Sequence, residues 1–421
     1  MSERPAPRLR QVDRQRVIPA MPLEDLLDSD HQARLVWDFC LQLDLSPLYD
    51  QIRSRVGGPG HPAIDPRLCV ALWLYATLEG VGSARTLAWL CENHNAFRWL
   101  TGGVSVNHHT LSDFRVGQVD FLDGLLTHSV AVLREQDLVD LNRVAIDGLR
   151  VRACAGAASF RSRATLEEHL AEAKDQVARL KEEMDDDPAS GSRRSAAAQE
   201  RAARERQQRL EEALKRLPEL EAKKKPDEKG KARASTTDPE ATVMKMADGG
   251  YRPAMNVQFA AATGGMVILG VAVVTTGSDM GLIGPMLGQI EGRTGTRPGE
   301  VLADGGFAQH KDIEQAQAQD ATVYVPVPKP KDPDRDRHEP LKGDSEAIAD
   351  WRKRMKTDEA KQIYKHRAST IECVNAQARN RGLLRLLVRG AEKARAVALW
   401  YAIAHNVSRG FSLRGGLAPT I

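Results

Sequence analysis

The sequence has little that would mark a secreted or membrane-spanning protein. Its five cysteines are scattered without paired spacing, so neither a disulfide framework nor a zinc pattern is expected. The longest apolar run, residues 266–274, falls well short of the roughly 18 residues that a membrane span needs. The basic, polar start has no apolar segment of the kind found in signal peptides. These absences predict a cytoplasmic protein without a membrane partner.

Aromatic residues are also scarce, at 5% of the chain, and neither sign of charge is in large excess. The apolar fraction of 42% is nevertheless enough for a folded core, and 421 residues allow two or three domains. The formal net charge is only +3, although 28% of the residues are charged. A near-neutral total does not exclude DNA binding, because positive charge can concentrate in one region. Basic residues here gather near both ends and around residues 329–331.

The N-terminal third of the chain has a helical pattern. Residues 1–20 are predicted to form a flexible basic arm, and residues 21–140 to be helical throughout. The clearest helix start is the Asp-Pro pair at 65–66, and a long helix is predicted over about 107–136. Short helices joined by glycine-containing turns fit either a helix-turn-helix DNA-binding unit or a plain dimerisation bundle. The helix pattern by itself favours the bundle.

A segment from Arg163 to Arg233 interrupts the pattern, being rich in Ala, Glu, Lys and Arg. Its apolar residues recur at alternating steps of four and three, which is the spacing of a coiled-coil seam. We predict two antiparallel helices, broken at 185–191, followed by a charged linker at 223–235. The acidic triplet in the break is interpreted as a solvated turn, not a metal site. The seam residues are Leu166, Leu170, Ala173, Val177, Leu180 and Met184 in the first helix, and Leu210, Leu214 and Leu217 in the second.

Strand patterns flank this insert. Without it, the order of elements is strand, two-stranded hairpin, helix, strand, helix, strand and further helices, which is the order of an RNase H-like fold. In such a fold the first and fourth strands lie side by side. We therefore predict an α/β protein: an RNase H-like mixed sheet with flanking helices, preceded by an all-α N-terminal domain and interrupted by an antiparallel coiled-coil hairpin. The predicted strands are 141–153, 254–262, 266–276, 299–303 and 322–327; the later helices are 281–292, 310–319, 351–382 and 391–409; and 326–350 is a predicted mobile loop.

Three carboxylates are the candidate catalytic residues of this predicted fold. Asp147 and Asp304 each end an apolar run and are followed by glycine, and Glu372 lies on a late helix. Mg²⁺ prefers oxygen ligands and is usually held by few carboxylates together with substrate phosphates. Two such ions can clamp the attacking and leaving oxygens of a phosphodiester exchange. An Asp-Gly pair is also an ordinary turn signal, so the prediction of an enzyme that cuts and joins nucleic acid strands depends on all three fitting one topology.

The segment around Glu372 carries a family signature. Tyr364 and Arg367 are separated by two residues, Glu372 follows after four more, and Arg379 stands six beyond it. This resembles the Tyr-x₂-Arg-x₃-Glu-x₆-Lys signature of DDE transposases of bacterial insertion sequences, with one extra residue before the glutamate and arginine in place of lysine. The likeness extends over roughly residues 25–410. The stretches that carry it are 249–258, 302–307, 325–331, 380–382 and 397–406.

The resemblance implies a role for each residue of the signature. Asp147, Asp304 and Glu372 would hold two Mg²⁺ ions, with Mn²⁺ as a substitute. Tyr364, Arg367 and Arg379 would contact DNA phosphates. The partners would be double-stranded DNA, as terminal inverted repeats and as target, and further copies of the chain in a synaptic complex. The helical N-terminal region would then recognise the repeats, which reverses the preference for a plain bundle.

Two other functions stay open at this point. One is an RNase H-like nuclease that cuts without strand transfer, and the other is a transposase-derived DNA-binding protein without catalysis. A structural coiled-coil protein would explain only residues 163–222. The predicted organisation is a basic arm (1–20), a helical DNA-binding domain (21–140), a catalytic domain (141–162 and 234–410), a coiled-coil insertion with linker (163–233) and a tail (411–421).

Overall fold

The computed structural model of the chain describes residues 21–54, 61–186, 193–330 and 332–415. The predicted basic arm at 1–20 lies outside this range, as do residues 187–191 of the predicted helix break and the end of the predicted tail. The protein is a mixed α/β structure with a mostly helical N-terminal region and a mixed sheet. Among the helices in these ranges, none is both long and apolar enough to pass through a membrane.

The N-terminal region is helical, as predicted. Asp65 begins its most buried helix: the carboxylate accepts a hydrogen bond from the Arg67 N–H at 2.8 Å, and Pro66 takes the first helical position. The predicted long helix at 107–136 is wrong in one respect, because the backbone of Gln118 leaves the helical conformation and divides it into two helices. The helices are α1 (Gln32–Leu41), α2 (Ser46–Tyr49), α3 (Pro66–Leu78), α4 (Ala84–Asn93), α5 (Asn95–Thr101), α6 (His108–Gly117) and α7 (Val119–Glu135).

The main sheet has six strands in the described chain. The first strand pairs antiparallel with the fifth on one edge and parallel with the seventh on the other. The seventh pairs parallel with the eighth, and the fourth and sixth share the far edge of the fifth. The strands are β1 (Asp140–Arg152), β2 (Phe160–Arg161), β3 (Ala234–Ser235), β4 (Thr242–Lys245), β5 (Tyr251–Gly264), β6 (Ile268–Val274), β7 (Glu300–Leu302) and β8 (Thr322–Tyr324). The predicted hairpin is β5–β6, and the predicted adjacency of first and fourth core strands is the β1–β7 pair.

Helices cover the sheet, and the last of them also packs against α3, α6 and α7, so the N-terminal helices and the sheet share one apolar core. The predicted single helix at 351–382 is wrong, because Thr357 leaves the helix and caps a new one. A π-helical segment, Ala368–Glu372, follows that new helix. The remaining helices are α8 (Arg163–Asp186), α9 (Arg193–Ala222), α10 (Ile283–Thr294), α11 (His310–Gln317), α12 (Glu346–Lys356), α13 (Asp358–Arg367), α14 (Cys373–Asn380) and α15 (Ala391–Leu413).

The insert consists of α8 and α9, which we call the helix pair. Arg163 pairs with Glu221 and Arg206 with Glu172, so the two helices run in opposite directions. Their apolar contacts form a cluster separate from the main core. The predicted linker at 223–235 is partly structured, since its last two residues form β3 and pair with β2 at the base of the helix pair. A coiled-coil seam between the helices stays a prediction.

Candidate active site

Asp147 lies on β1, and Asp304 lies two residues past the end of β7, the strand that pairs parallel with β1. The last pair of the β1–β7 register is Ala145 with Leu302, and each aspartate follows its strand partner by two residues. Side chains two residues apart point to the same face of a sheet. Asp147 lies inside β1, in agreement with the predicted strand 141–153, and the pairing with β7 ends two residues before it, at Ala145. The topology therefore brings together two carboxylates that are far apart in the sequence.

The surroundings of Asp147 oppose its ionisation. Burial raises the pKa of its carboxyl to about 6, and the charge of Asp304 adds to the rise, whereas Arg367 and a hydrogen bond from the Gly148 N–H lower it. That hydrogen bond is 2.8 Å long. Ionisation of Asp147 beside a second carboxylate is unfavourable, and a nearby cation would stabilise the ionised form. This edge of the sheet therefore favours cation binding.

Glu372 lies in the π-helical segment and is linked to Asp147 by the side chain of Arg367. One guanidinium nitrogen of Arg367 lies 2.5 Å from Glu372 Oε1, and another lies 3.6 Å from Asp147 Oδ2. The same guanidinium lies over the ring of Tyr364, 5.8 Å from its centroid. Arg367 thus bridges two predicted metal ligands and fixes their relative position. Its predicted contact with a DNA phosphate stays a prediction.

The π-helical segment accounts for the extra residue in the signature. A π turn adds one residue to an α-helix and is closed by i→i+5 hydrogen bonds. Residues five apart therefore lie on one face there, as residues four apart do in an α-helix. The segment Ala368–Glu372 spans the four residues that separate Arg367 from Glu372, and their ion pair is retained. The longer spacing is absorbed locally, without turning Glu372 away from Arg367.

Asn375 was missed by the sequence reasoning. Its Nδ2 donates a hydrogen bond of 3.2 Å to Asp147 Oδ2, and its own Oδ1 is buried with no partner in the described chain. Asn375 stands three residues after Glu372, on the same face of the helix. A polar residue at that spacing was the available signal. It holds the orientation of the Asp147 carboxylate from the side opposite the Gly148 N–H.

Asp279 was also missed, although it lies beside both aspartates. It is almost fully buried and accepts hydrogen bonds of 2.7 Å from both Asn256 and Gln258 and of 3.0 Å from Arg150. Polar Asn256 and Gln258 alternate within an otherwise apolar strand, which was a usable signal. This network ties β1 and β5 to the segment after β6, directly behind the candidate active site.

The glycine after Asp147 is required by the side chains that pack against it. A Cβ on Gly148 would lie 2.6 Å from the Oδ1 atoms of both Asn256 and Asp279. The polar network therefore leaves no room for a side chain at this position. By contrast, a Cβ on Gly305, which follows Asp304, would meet nothing within 4 Å. That glycine leaves room for a close approach.

Arg379 makes no ion pair with the three carboxylates in the described structure. It is exposed and lines a groove with Gly148 and Arg152. Tyr364, in contrast, is half-buried under Arg367, and burial raises the pKa of its phenol. The predicted DNA-contacting residues therefore belong to two places: Tyr364 and Arg367 at the carboxylates, and Arg379 at the groove.

The donor chemistry of the carboxylates fits Mg²⁺. Within the described ranges, no three His, Cys, Asp or Glu side chains are already grouped around a metal position. Asp147 and Asp304 nevertheless offer oxygen ligands on adjoining strands, and their mutual repulsion would be relieved by a cation. Glu372 already shares one cation, the Arg367 guanidinium, with Asp147. The three predicted ligands thus surround one cation-favouring region.

Two models of protein families match the chain. A transposase domain (DUF772) matches residues 21–117, and a transposase DDE domain matches residues 231–407. Asp304, Glu372 and the whole signature lie inside the second match, whereas Asp147 lies before it. No curated protein and no solved structure matches the chain.

Proposed function

Because this chain belongs to the DDE transposases of insertion sequences, we propose that it cleaves DNA at the inverted-repeat ends of its element and transfers the freed strands to target DNA. The observation that carries the proposal is the placement of Asp147 on β1 beside Asp304, just past the end of the neighbouring parallel strand β7, with Glu372 linked to Asp147 by Arg367. This arrangement offers carboxylates to metal ions at an edge that a DNA phosphate can reach beside Gly305.

We infer an RNase H-like fold for the sheet domain from its strand order. Counting only the core strands, β6, β5, β1, β7 and β8 lie side by side in that order, with β5 antiparallel to both of its neighbours and β7 and β8 parallel to β1. The match to a transposase DDE domain supports the same fold. We likewise propose that the helix pair is a coiled coil inserted directly after the first catalytic strand.

The mechanism assigns separate tasks to the residues of the site. Asp147 and Asp304 would hold Mg²⁺, or Mn²⁺ as a substitute, and Glu372 would join them when Arg367 releases it. Two ions bound there would activate the attacking hydroxyl and stabilise the leaving oxygen. Asp147 must lose its proton before it can act as a ligand, and Asn375 with the Gly148 N–H holds its oxygens in place. Arg367, once released, is free to contact a phosphate.

The other parts of the chain would select the DNA and assemble the complex. We propose that residues 21–140 recognise the terminal inverted repeats and that two or more copies of the chain pair the two ends. The match of a transposase domain to residues 21–117 supports a role for this region in transposition. Because the proposed substrate is the DNA of an insertion sequence, we place the reaction in the cytoplasm.

A strand-transfer assay tests the function. The full chain is incubated with Mg²⁺, a labelled duplex carrying the inverted repeat that flanks the gene, and a circular target plasmid. We expect cleavage at the end of the repeat and labelled plasmid as the joined product, and neither with a scrambled repeat. Cleavage without joined product would indicate a nuclease, and binding without cleavage would indicate a non-catalytic DNA-binding protein.

Deletion of Ser369 is a test of the π-helical segment. The deletion should convert the segment to regular α-helix and leave Glu372 on its present face, so cleavage should stay within about tenfold of the wild-type rate. Insertion of one alanine after Ser369 should instead turn Glu372 by about 100° and reduce cleavage to the level of Glu372→Gln. Cleavage rates and melting temperatures of both variants provide the comparison. Equal damage from both changes would mean that the π turn itself is needed.

A further inference from the structure

A basic groove with a volume of about 760 Å³ opens next to the candidate active site. Five cationic side chains line it, and they come from parts of the chain that are far apart in sequence. We call this the basic groove and define it by Arg150, Arg152, Lys245, Arg252 and Arg379. Only Arg379 was predicted from the sequence to contact DNA.

The strand register explains why these cations lie together. Gly148, Arg150 and Arg152 alternate along β1 and therefore share one face of the sheet. In the antiparallel pairing, Arg152 is opposite Ala254 of β5, and Lys245 of β4 is opposite the residue that starts β5. The β4–β5 hairpin thus extends the wall that begins on β1. Gly148 directly follows Asp147 and also lines the groove, so the groove begins one residue from a candidate ligand, on the face of β1 opposite to the Asp147 side chain.

One edge of β1 is open along this path. Its pairing with β7 stops at Ala145, and the next contact on that side is at Arg152, whose backbone bonds to Leu384 and Leu386. Between these two points, the described structure gives β1 no partner on that edge. Asp147 lies in this interval. A chain that crosses this edge can therefore run from Asp147 on one face of β1 to the basic wall on the other.

The charge of the wall is only partly neutralised. Arg150 pairs with Asp279 and Arg252 with Asp248. The structure records no ion pair or side-chain hydrogen bond within the described residues for Arg152, Lys245 or Arg379, all of which are exposed. Exposed charge alone is common on protein surfaces. Unpaired cations on one wall of a groove that adjoins the proposed cleavage site concentrate positive potential along a path open to a polyanion.

We propose that the basic groove binds the phosphate backbone of the DNA strand that is positioned at Asp147 and Asp304. The proposal rests on the proposed function and deepens it, because it assigns the path of the strand beyond the reacting phosphate. Guanidinium groups bind phosphate through paired N–H donors, and Lys245 contributes a point charge. The contacts are to the backbone and carry no sequence information. The bound strand belongs either to the element end or to the target DNA, and the experiment below distinguishes these two sources.

The test is the salt dependence of DNA binding by the full chain, measured without Mg²⁺ so that cleavage does not enter. The variant carries Arg152→Gln and Lys245→Gln, both at exposed side chains. Binding is measured between 50 and 200 mM salt for two duplexes, one with the inverted repeat and one of target DNA. The slope of log affinity against log salt should become shallower by about 0.9 for each phosphate that is no longer bound, or about 1.8 in total. A second variant, Arg152→Lys with Lys245→Arg, should keep the wild-type slope.

A matched control removes the same charge elsewhere. Arg335→Gln with Lys353→Gln alters exposed residues on α12 and on the loop before it, and α12 packs on β8, at the other side of the sheet. The control should keep the wild-type slope with both duplexes. A change confined to the repeat duplex assigns the groove to the element end, and a change confined to target DNA assigns it to the target.

The proposal is overturned if the groove variant keeps its wild-type melting temperature and follows the control with both duplexes. Such a result would leave the proposed function untouched, since the wild-type protein would still cleave and join the repeat DNA in Mg²⁺. Conversely, loss of cleavage and joining by the wild type would refute the proposed function, while the salt slopes would still report on the groove.

Discussion

Replacing any one of the three carboxylates should abolish Mg²⁺-dependent cleavage of the inverted-repeat DNA. For Asp147→Asn, Asp304→Asn and Glu372→Gln, we expect a loss of at least about a thousandfold in rate, which corresponds to about 4 kcal/mol in the activation free energy. Each substitution keeps the size of the side chain and removes the negative charge that holds the metal ion. Binding of the repeat duplex should change by less than about threefold, because the carboxylates are not expected to provide the DNA affinity.

The measurements are single-turnover cleavage of a labelled duplex and equilibrium binding of the same duplex. Glu359→Gln is the matched control, because Glu359 is an exposed carboxylate on α13, the helix that leads to the π-helical segment. That variant should cleave at the wild-type rate. A substitution at 147, 304 or 372 that leaves cleavage near the wild-type rate would remove that residue from the site.

Replacing the helix pair by a short Gly/Ser linker should leave the catalytic region folded but impair the pairing of two element ends. The ends of the pair are close, with Arg163 3.1 Å from Glu221, so a short linker can join residue 162 to residue 223. The apolar cluster of the pair is separate from the main core, and few contacts cross between them, among them the hydrogen bonds from Arg216 to Pro239 and Thr242. The melting transition should therefore persist.

We expect the pairing of element ends to be impaired because two helices bury only a small area by themselves. A lone two-helix pair is only weakly stabilised, so a partner surface on DNA or on a second copy of the chain would add to its stability. The rate of nicking at a single end should stay within about threefold of the wild-type rate. The yields of paired-end complexes and of joined products should fall by more than about tenfold if the helix pair contributes a contact of about 1.4 kcal/mol or more.

Gel analysis of paired-end complexes and the strand-transfer assay provide the measurements. Leu210→Asp, which places a charge in the buried contact of the pair, should reproduce the defect without shortening the chain. If the linker variant loses the cooperative melting transition of the catalytic region, the helix pair is part of the core and its proposed role is wrong.

Local sequence signals determined the elements of this protein. The cap and proline at 65–66 begin α3 as predicted, and the two strand-forming runs on either side of residues 263–265 form the β5–β6 hairpin. These features depend on interactions within a few residues, so a short window of sequence contains them. The order of strands and helices then predicted the β1–β7 adjacency, and with it the meeting of Asp147 and Asp304, because connection rules allow few topologies.

The tertiary structure decided what fills the space around those elements. The extra residue before Glu372 could be assigned to a π turn only when the contact of Arg367 with Glu372 was visible. Asp279 lies far in sequence from its partner Arg150, and the basic groove is assembled from three separate segments. This convergence depends on strand register, because a slip of one residue moves every side chain of a strand to the other face of the sheet. Register is fixed by packing of the whole sheet, and a single sequence read in short windows does not contain it.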